Sequence, residues 1–416
     1  MGSDTGRILS ATPPAPSHEE TKHIEADLEA QARTYAKTDS TRNPSDGGRL
    51  KIADKPSGLW TGASSITMYA VAGLCRAFLY GASRLELHGQ EEFFKLLESR
   101  VDRDKRKRGL ITVSNHISVM DDPIMWGSLP LLSPTFAAFN RRWSFGSHDI
   151  CFVNRPLSIF FTLGQVLPCH RRLHSPAAGL FQPTMTQAIR LISKGPFPAD
   201  PHLADDSLQR WSRENVCVDP FSEVDTAYTT TGSDSVLAPS AYACNSYSWI
   251  HIFPEGKIHQ TTEKTMRYFK WGIARLILEA NECPDVVPIW IEGTDEVMHE
   301  SRTFPRFLPR VFKRISITFG ARSDPEEMFG DLRRRWQNLV EKAERNRRKL
   351  GLEPLPLGVL EDEELMTGKE AKELRIECTK RIRDMVLEVR RLRGHPDEDP
   401  KEALPETWAN TPPALG

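Results

Sequence analysis

The chain has 416 residues, enough for two average domains or for one α/β domain with tails and an insertion. Its 55 Lys plus Arg stand against 56 Asp plus Glu, so charge excludes any global pull toward nucleic acid or an anionic surface and leaves such contacts to local patches. The seven cysteines show no paired short spacing of the zinc, iron–sulfur or dithiol kind and read as free thiols, and nothing calls for a cofactor.

Residues 1–55 are rich in Ser, Thr, Pro and charge without hydrophobic periodicity, which predicts a disordered N-terminal tail. Glu19, Glu20, Glu25, Asp27 and Glu29 lie in the first thirty residues with a single Arg, which argues against a secretory signal or an Arg-rich transit peptide. From Pro56 to Cys75 no side chain is charged, and Ile66 to Leu74 reads as an apolar helix that Arg76 interrupts and Ala77–Tyr80 resumes. It is either a core helix or one lying in a membrane interface, being too diluted with Ser, Thr and Gly for a full span of roughly 20 strongly apolar residues. Residues 56–100 are accordingly assigned as membrane-associated helices. A charged, helix-like stretch runs from Gln90 to Arg108.

Four short apolar runs then end at polar turns. Leu110–Val113 leads into Ser114-Asn115-His116, Trp249–Phe253 into Pro254-Glu255-Gly256, Val286–Ile291 into Glu292-Gly293, and Ile315–Phe319 into Gly320. With an amphipathic helix over Phe269–Ala280, this predicts an α/β domain over 101–325, a largely parallel sheet flanked by helices with ligand groups at strand C-termini. Residues 196–247 hold five prolines and a Thr/Ser/Gly tract and are expected to be a disordered insertion. A helical extension is predicted over 326–395. Its first helix carries Arg333, Arg334, Arg335, Arg345, Arg347, Arg348 and Lys349 on one face, either solvated or in contact with lipid headgroups. A disordered tail, 396–416, closes the chain.

The segment Ser114 to Pro123 joins a buried strand to a helix through a dense polar turn. Asp122-Pro123 reads as an N-cap followed by proline, which puts Asp121 just outside the helix. Fully extended, His116 and Asp121 would stand up to about 16 Å apart, so they meet only if the turn folds back, which Ser118 can assist. Once met, a carboxylate-held imidazole can take a proton from an alcohol attacking an ester or thioester carbonyl. No Gly-x-Ser-x-Gly elbow or base-paired cysteine supplies a protein nucleophile, which leaves the hydroxyl to a substrate and makes a transferase of the site. Two bland readings stay open at this point: a structural histidine in a polar loop, and a metal site of His116, Asp121 and Asp122 that lacks a second His-rich element. Glu255-Gly256 makes another polar turn, open to close backbone approach. Leu157–Pro168 is an uncharged apolar run ending near Arg171, which suits a lipid with a phosphate or, equally, a buried segment with a snorkelling arginine.

The pairing of His116 and Asp121, with four residues between them, and Phe253-Pro254-Glu255-Gly256 downstream resembles the glycerolipid acyltransferases. Within them the chain is most similar to the tafazzin family of phospholipid–lysophospholipid transacylases that remodel cardiolipin. The similarity lies in Asn115–Pro123 with Trp126-Gly127, Asp149–Phe152, Phe160–Gly164, His251–Lys257 and Phe269–Ile277, and spans roughly residues 58–325. The resemblance implies a glycerol-phosphate-acyltransferase-like fold and acyl exchange without coenzyme A. His116 would be general base and Asp121 its orienting partner, while Phe253, Pro254, Glu255, Gly256, Asn115 and Arg171 would bind substrate, with no metal. It implies phospholipid and lysophospholipid partners, a membrane interface, no nucleic acid and association with mitochondrial membrane complexes. The setting would be a mitochondrial membrane, inner or outer or both, facing the intermembrane space. The rivals are a coenzyme A-dependent acyltransferase on the same fold and a membrane-binding scaffold that lost activity.

Overall fold

The Ser57 hydroxyl accepts the Trp60 amide at 3.1 Å and starts the first helix, α1 (Gly58–Gly81). The structure, a computed structural model, describes residues 54–197, 227–231, 236–305 and 307–408. One stripe of α1, from Trp60 through Met68 and Cys75 to Leu79, is buried. The opposite stripe, with Leu59, Ile66, Leu74 and Tyr80, is exposed and carries no charge. Arg76, the interruption in the apolar run, turns inward and donates to the carbonyls of Gly127 and Leu129 at 3.2 and 3.0 Å, closing the C-terminus of the helix Asp121–Ser128. Gly127 makes this possible, because a Cβ there would lie 2.7 Å from backbone atoms of Cys75 and Arg76.

After α1 come β1 (Arg84–His88), α2 (Gln90–Ser99), β2 (Leu110–Ser114), α3 (Asp121–Ser128), β3 (Trp143–Ser147), α4 (Arg155–Leu163), β4 (Val166–Cys169) and α5 (Pro183–Leu191). A small hairpin of β5 (Ala227–Tyr228) and β6 (Val236–Leu237) precedes β7 (Trp249–Ile252), α6 (Gly272–Leu278), β8 (Asp285–Glu292) and β9 (Arg314–Phe319). The long helices α7 (Pro325–Lys349) and α8 (Lys369–Leu392) come next. Seven strands form one sheet in the order β1-β9-β8-β2-β7-β3-β4. From β8 to β4 all pairs are parallel, while β9 runs antiparallel to β8 and parallel to β1.

Such a sheet must be covered on both faces, and its central strands are continuous apolar runs for that reason. Leu110, Val287, Ile289 and Ile291 face α1, α2 and α3 through Leu79, Phe93 and Ile124. Ile111, Val113, Ile250 and Val286 face α5, α6, α7 and α8 through Ile189, Ile273, Leu332 and Ile382. The expected extension after 325 therefore supplies part of one covering layer. On its basic face Arg333 caps α6 through the carbonyls of Ile277, Ala280 and Asn281, and Arg334, Arg335 and Arg345 pair with Glu326, Glu370 and Glu341.

The expected disorder is corrected in two places. Residues 236–247 are ordered, since Gly195 N donates to Asn245 O, Phe197 N to Ser240 O, and the Ser240 hydroxyl to Gln187 at 2.7 Å. Residues 396–408 are ordered too. Glu398 is buried between Arg383 at 2.5 Å and Arg390 at 3.4 Å and also accepts the Met266 amide at 2.7 Å. The tail at 1–53, the stretches 198–226 and 232–235, and 409–416 lie outside the described residues. Glu398→Ala would leave two buried guanidinium groups short of their carboxylate, so the chemical-denaturation midpoint should fall by the equivalent of about 3 kcal/mol or more. An unchanged midpoint would show that the ion pairs contribute nothing.

Candidate active site

The turn after β2 folds back as the chemistry requires. His116 Nδ1 lies 2.9 Å from Asp121 Oδ2, and the same oxygen accepts the amides of Ile117 and Ser118 at 2.7 and 2.8 Å. The two backbone bonds close the loop, and the carboxylate replaces the missing partners of a chain that can neither continue β2 nor yet begin a helix. Asp121 is the first residue of α3 rather than the residue before it, and Asp122, expected as the cap, forms an ion pair with the buried Arg142. This assignment leaves Asp122 out of any metal set, and among the described residues no group of His, Cys, Asp and Glu is arranged to hold a metal. Asp121 is 0% exposed and the His116 side chain 21%, so the imidazole alone of the pair reaches solvent.

The second predicted turn meets the first. Glu255 Oε1 accepts the His116 amide at 2.7 Å and Oε2 the Arg267 amide at 2.9 Å, which ties the β2 and β7 turns together. Phe253 stacks on the His116 ring with centroids 4.3 Å apart and meets His251 edge-on at 4.5 Å. The Pro254 carbonyl accepts the Lys270 amide. Gly256 has φ +68, and a Cβ there would stand 2.6 Å from Lys270 Nζ, so the open space expected for a ligand is filled by the lysine. Burial, with Arg171, Arg267 and Arg172 nearby, holds the Lys270 ammonium below its ordinary pKa, and burial beside Arg267 does the same to Lys257. Cations thus gather at this end of the sheet.

A further sequence expectation, that for Asn115, needs revision. Asn115 does not face a substrate: its side-chain amide donates to Ile291 O and accepts Ile291 N, both at 2.8 Å, so it extends the β2–β8 ladder past the end of β2. Arg171 comes after β4, two strands or about 10 Å across the sheet from β7, and is paired with Asp149, whose carboxyl it holds well below the usual range. Sequence reasoning missed Thr294. Its hydroxyl donates to Asp121 Oδ1 at 2.5 Å from the turn after β8, where Glu292-Gly293-Thr294 had the same strand-end character as the other two turns. Burial also holds His251 well below its ordinary pKa, so a neutral imidazole lies under Phe253.

Burial pushes the Glu255 carboxyl up to about 7, against the pull of its two amide donors. Between its ordinary 4.5 and about 7 the folded chain keeps a proton that the unfolded chain has released. Stability contributed by this group is therefore greatest at low pH, falls as pH rises through that window and is level above it. Denaturation midpoints at pH 5 and pH 8 should differ by on the order of 3 kcal/mol from this group, and Glu255→Gln should remove that part of the slope. An identical slope in the variant would assign it elsewhere.

A family model described as Acyltransferase matches residues 84–292, about half of the chain. Tafazzin from Saccharomyces cerevisiae is 36% identical over 371 residues, 86% of this chain and 86% of that protein. Tafazzin from Drosophila melanogaster is 27% identical over 285 residues, 67% of this chain and 56% of that one. N-acylphosphatidylethanolamine synthase from Arabidopsis thaliana is 28% identical over 256 residues, 60% and 64% of the two chains. The match to the yeast protein along most of both chains, on a domain whose strand ends bear the acyltransferase turns, shows that the chain belongs to the tafazzin family of phospholipid acyltransferases.

Proposed function

We propose that the chain moves acyl groups directly between a phospholipid and a lysophospholipid, with cardiolipin as the remodelled lipid and no coenzyme A. The observation that carries the acyl transfer is the buried Asp121 carboxylate 2.9 Å from Nδ1 of a partly exposed His116, while the choice of donor and of cardiolipin rests on the tafazzin relatives. With Nδ1–H donating to Asp121, Nε2 presents its lone pair. It takes the proton of the lysolipid hydroxyl as that oxygen bonds to the ester carbonyl of the donor. When the tetrahedral intermediate collapses, the imidazolium returns the proton to the departing glycerol oxygen, so the donor leaves as a lysolipid and the base is restored. Thr294 is a positioning residue acting through Asp121, and Glu255 is another acting through the His116 backbone. Lys270, with Arg171 across the sheet, is assigned to the glycerophosphate, because cations crowded in a partly buried place favour an anion between them.

The charge-free exposed stripe of α1 supports attachment to a membrane interface, and its packed opposite stripe supports lying along the surface rather than spanning. The place assigned is a mitochondrial membrane facing the intermembrane space, on the strength of the family alone.

Purified protein given a labelled phospholipid and lysocardiolipin, with acyl-CoA left out, is expected to transfer label. Absence of transfer until acyl-CoA is added would instead favour the coenzyme A-dependent reading. His116→Ala should abolish transfer and Asp121→Asn reduce it by roughly 10²–10⁴ while vesicle binding persists. Wild-type rates in both variants would mean a scaffold.

Thr294→Val removes one hydrogen bond to a buried carboxylate and should lower kcat about tenfold at unchanged KM, with Thr294→Ser restoring it. A change confined to KM would remove Thr294 from the catalytic relay.

A further inference from the structure

The connection between β8 and β9 wears its apolar residues on the outside. Phe304, Phe307 and Phe312 are 88%, 71% and 72% exposed, and Leu308 and Val311 are exposed beside them. Such a cluster is unusual on a surface that faces only water. Arg302, Arg310 and Lys313 are interspersed, and no acidic residue occurs from 302 to 314.

This connection is moored at one end to the close of α1 and at the other to the catalytic turn. Phe312 N donates to Ala82 O at 2.6 Å and Arg84 N to Lys313 O at 2.9 Å, directly after α1 and its exposed Tyr80. At the other end, the Ser118 hydroxyl donates to Met298 O at 3.3 Å. Gln260 accepts the Glu300 amide at 3.1 Å and donates to Ile117 O at 2.7 Å. Arg310 N also donates to Val297 O at 3.0 Å, which holds the middle of the connection close to the catalytic turn. The segment therefore runs from the end of α1, with its exposed Tyr80, to the turn that carries His116 and the exposed Val119.

We propose that the β8–β9 connection is a second membrane-contacting element, inserted into a phospholipid bilayer beside the catalytic turn, with its phenylalanines among the acyl chains and its cations at anionic headgroups. The chemistry selects the bilayer over a protein partner: exposed aromatic rings in a segment with basic and no acidic residues of its own suit an apolar layer edged by phosphate, although Lys313 also meets Glu296 at 3.6 Å. Its use is to set His116 at the depth of the ester carbonyls, and this consequence, though not the insertion, rests on the acyltransferase reading.

The test uses the full chain with vesicles of phosphatidylcholine and cardiolipin. In Phe307→Trp, the emission added over wild type should be quenched when the acyl chains are brominated, and an unquenched signal overturns the proposal. Combining Phe304→Ser, Phe307→Ser and Phe312→Ser should lower transfer on vesicle substrate by about tenfold or more, since each ring withdrawn from lipid weakens partition by about that factor. Transfer between a soluble short-chain phospholipid and a soluble short-chain lysolipid should be unchanged in the same variant, which also shows that it folds. Equal rates on both substrates, or equal losses on both, would overturn the positioning role. A wild-type chain inactive on every lipid would count against the catalytic reading while the quenching still reports on insertion.

Discussion

The carboxylate of Asp121 accepts four hydrogen bonds, from the His116 ring, the Ile117 and Ser118 amides and the Thr294 hydroxyl. A fully buried carboxylate would be costly without them, and with them it becomes the point where the β2 turn, α3 and the β8 turn are joined. Its place in the first turn of α3 adds the favourable end of the helix dipole. Two distinct jobs, shaping the loop and orienting the base, fall to the same two oxygens, so the geometry of the site and the fold of the turn are one structure.

A second chain of contacts reaches the site from the far end of the sequence. Arg383 on α8 donates to the carbonyls of Met266 and Arg267, Glu398 holds both Arg383 and the Met266 amide, and the Arg267 amide reaches Glu255. Glu255 then fixes the His116 backbone. Trp408 lies over this path, with the Arg267 guanidinium 4.4 Å from its ring and His259 edge-on at 4.8 Å. The helices after the sheet are thus part of what holds the histidine still.

How much could be read from residue order depends on how local each signal is. The four interior runs were legible because strands buried on both faces need unbroken apolar residues, as in Val286–Ile291. Strand β1 alternates Arg84-Leu85-Glu86-Leu87-His88 on a half-exposed edge, β4 contains Pro168 on the other edge, and Trp143–Ser147 is short and mixed, so none of these stood out. His116 and Asp121 were legible because six residues of chain hold both. Asn115 was misread and Thr294 missed for the same reason: their partners, Ile291 and Asp121, lie more than 170 positions away, and only the sheet brings them together. The ordering of 396–408 depends likewise on Arg383 and Arg390, whose burial nothing in an arginine-rich helix announces.

The bond from Glu398 to the Met266 amide has a further meaning for the order of biosynthesis. Every strand of the sheet precedes residue 320, so the strands can pair before the C-terminal helices are made, while the face that α7 and α8 cover waits for them. The brace behind Glu255 forms only after residue 398 has emerged. A nascent chain therefore acquires its strands before the working turn gains its support from behind.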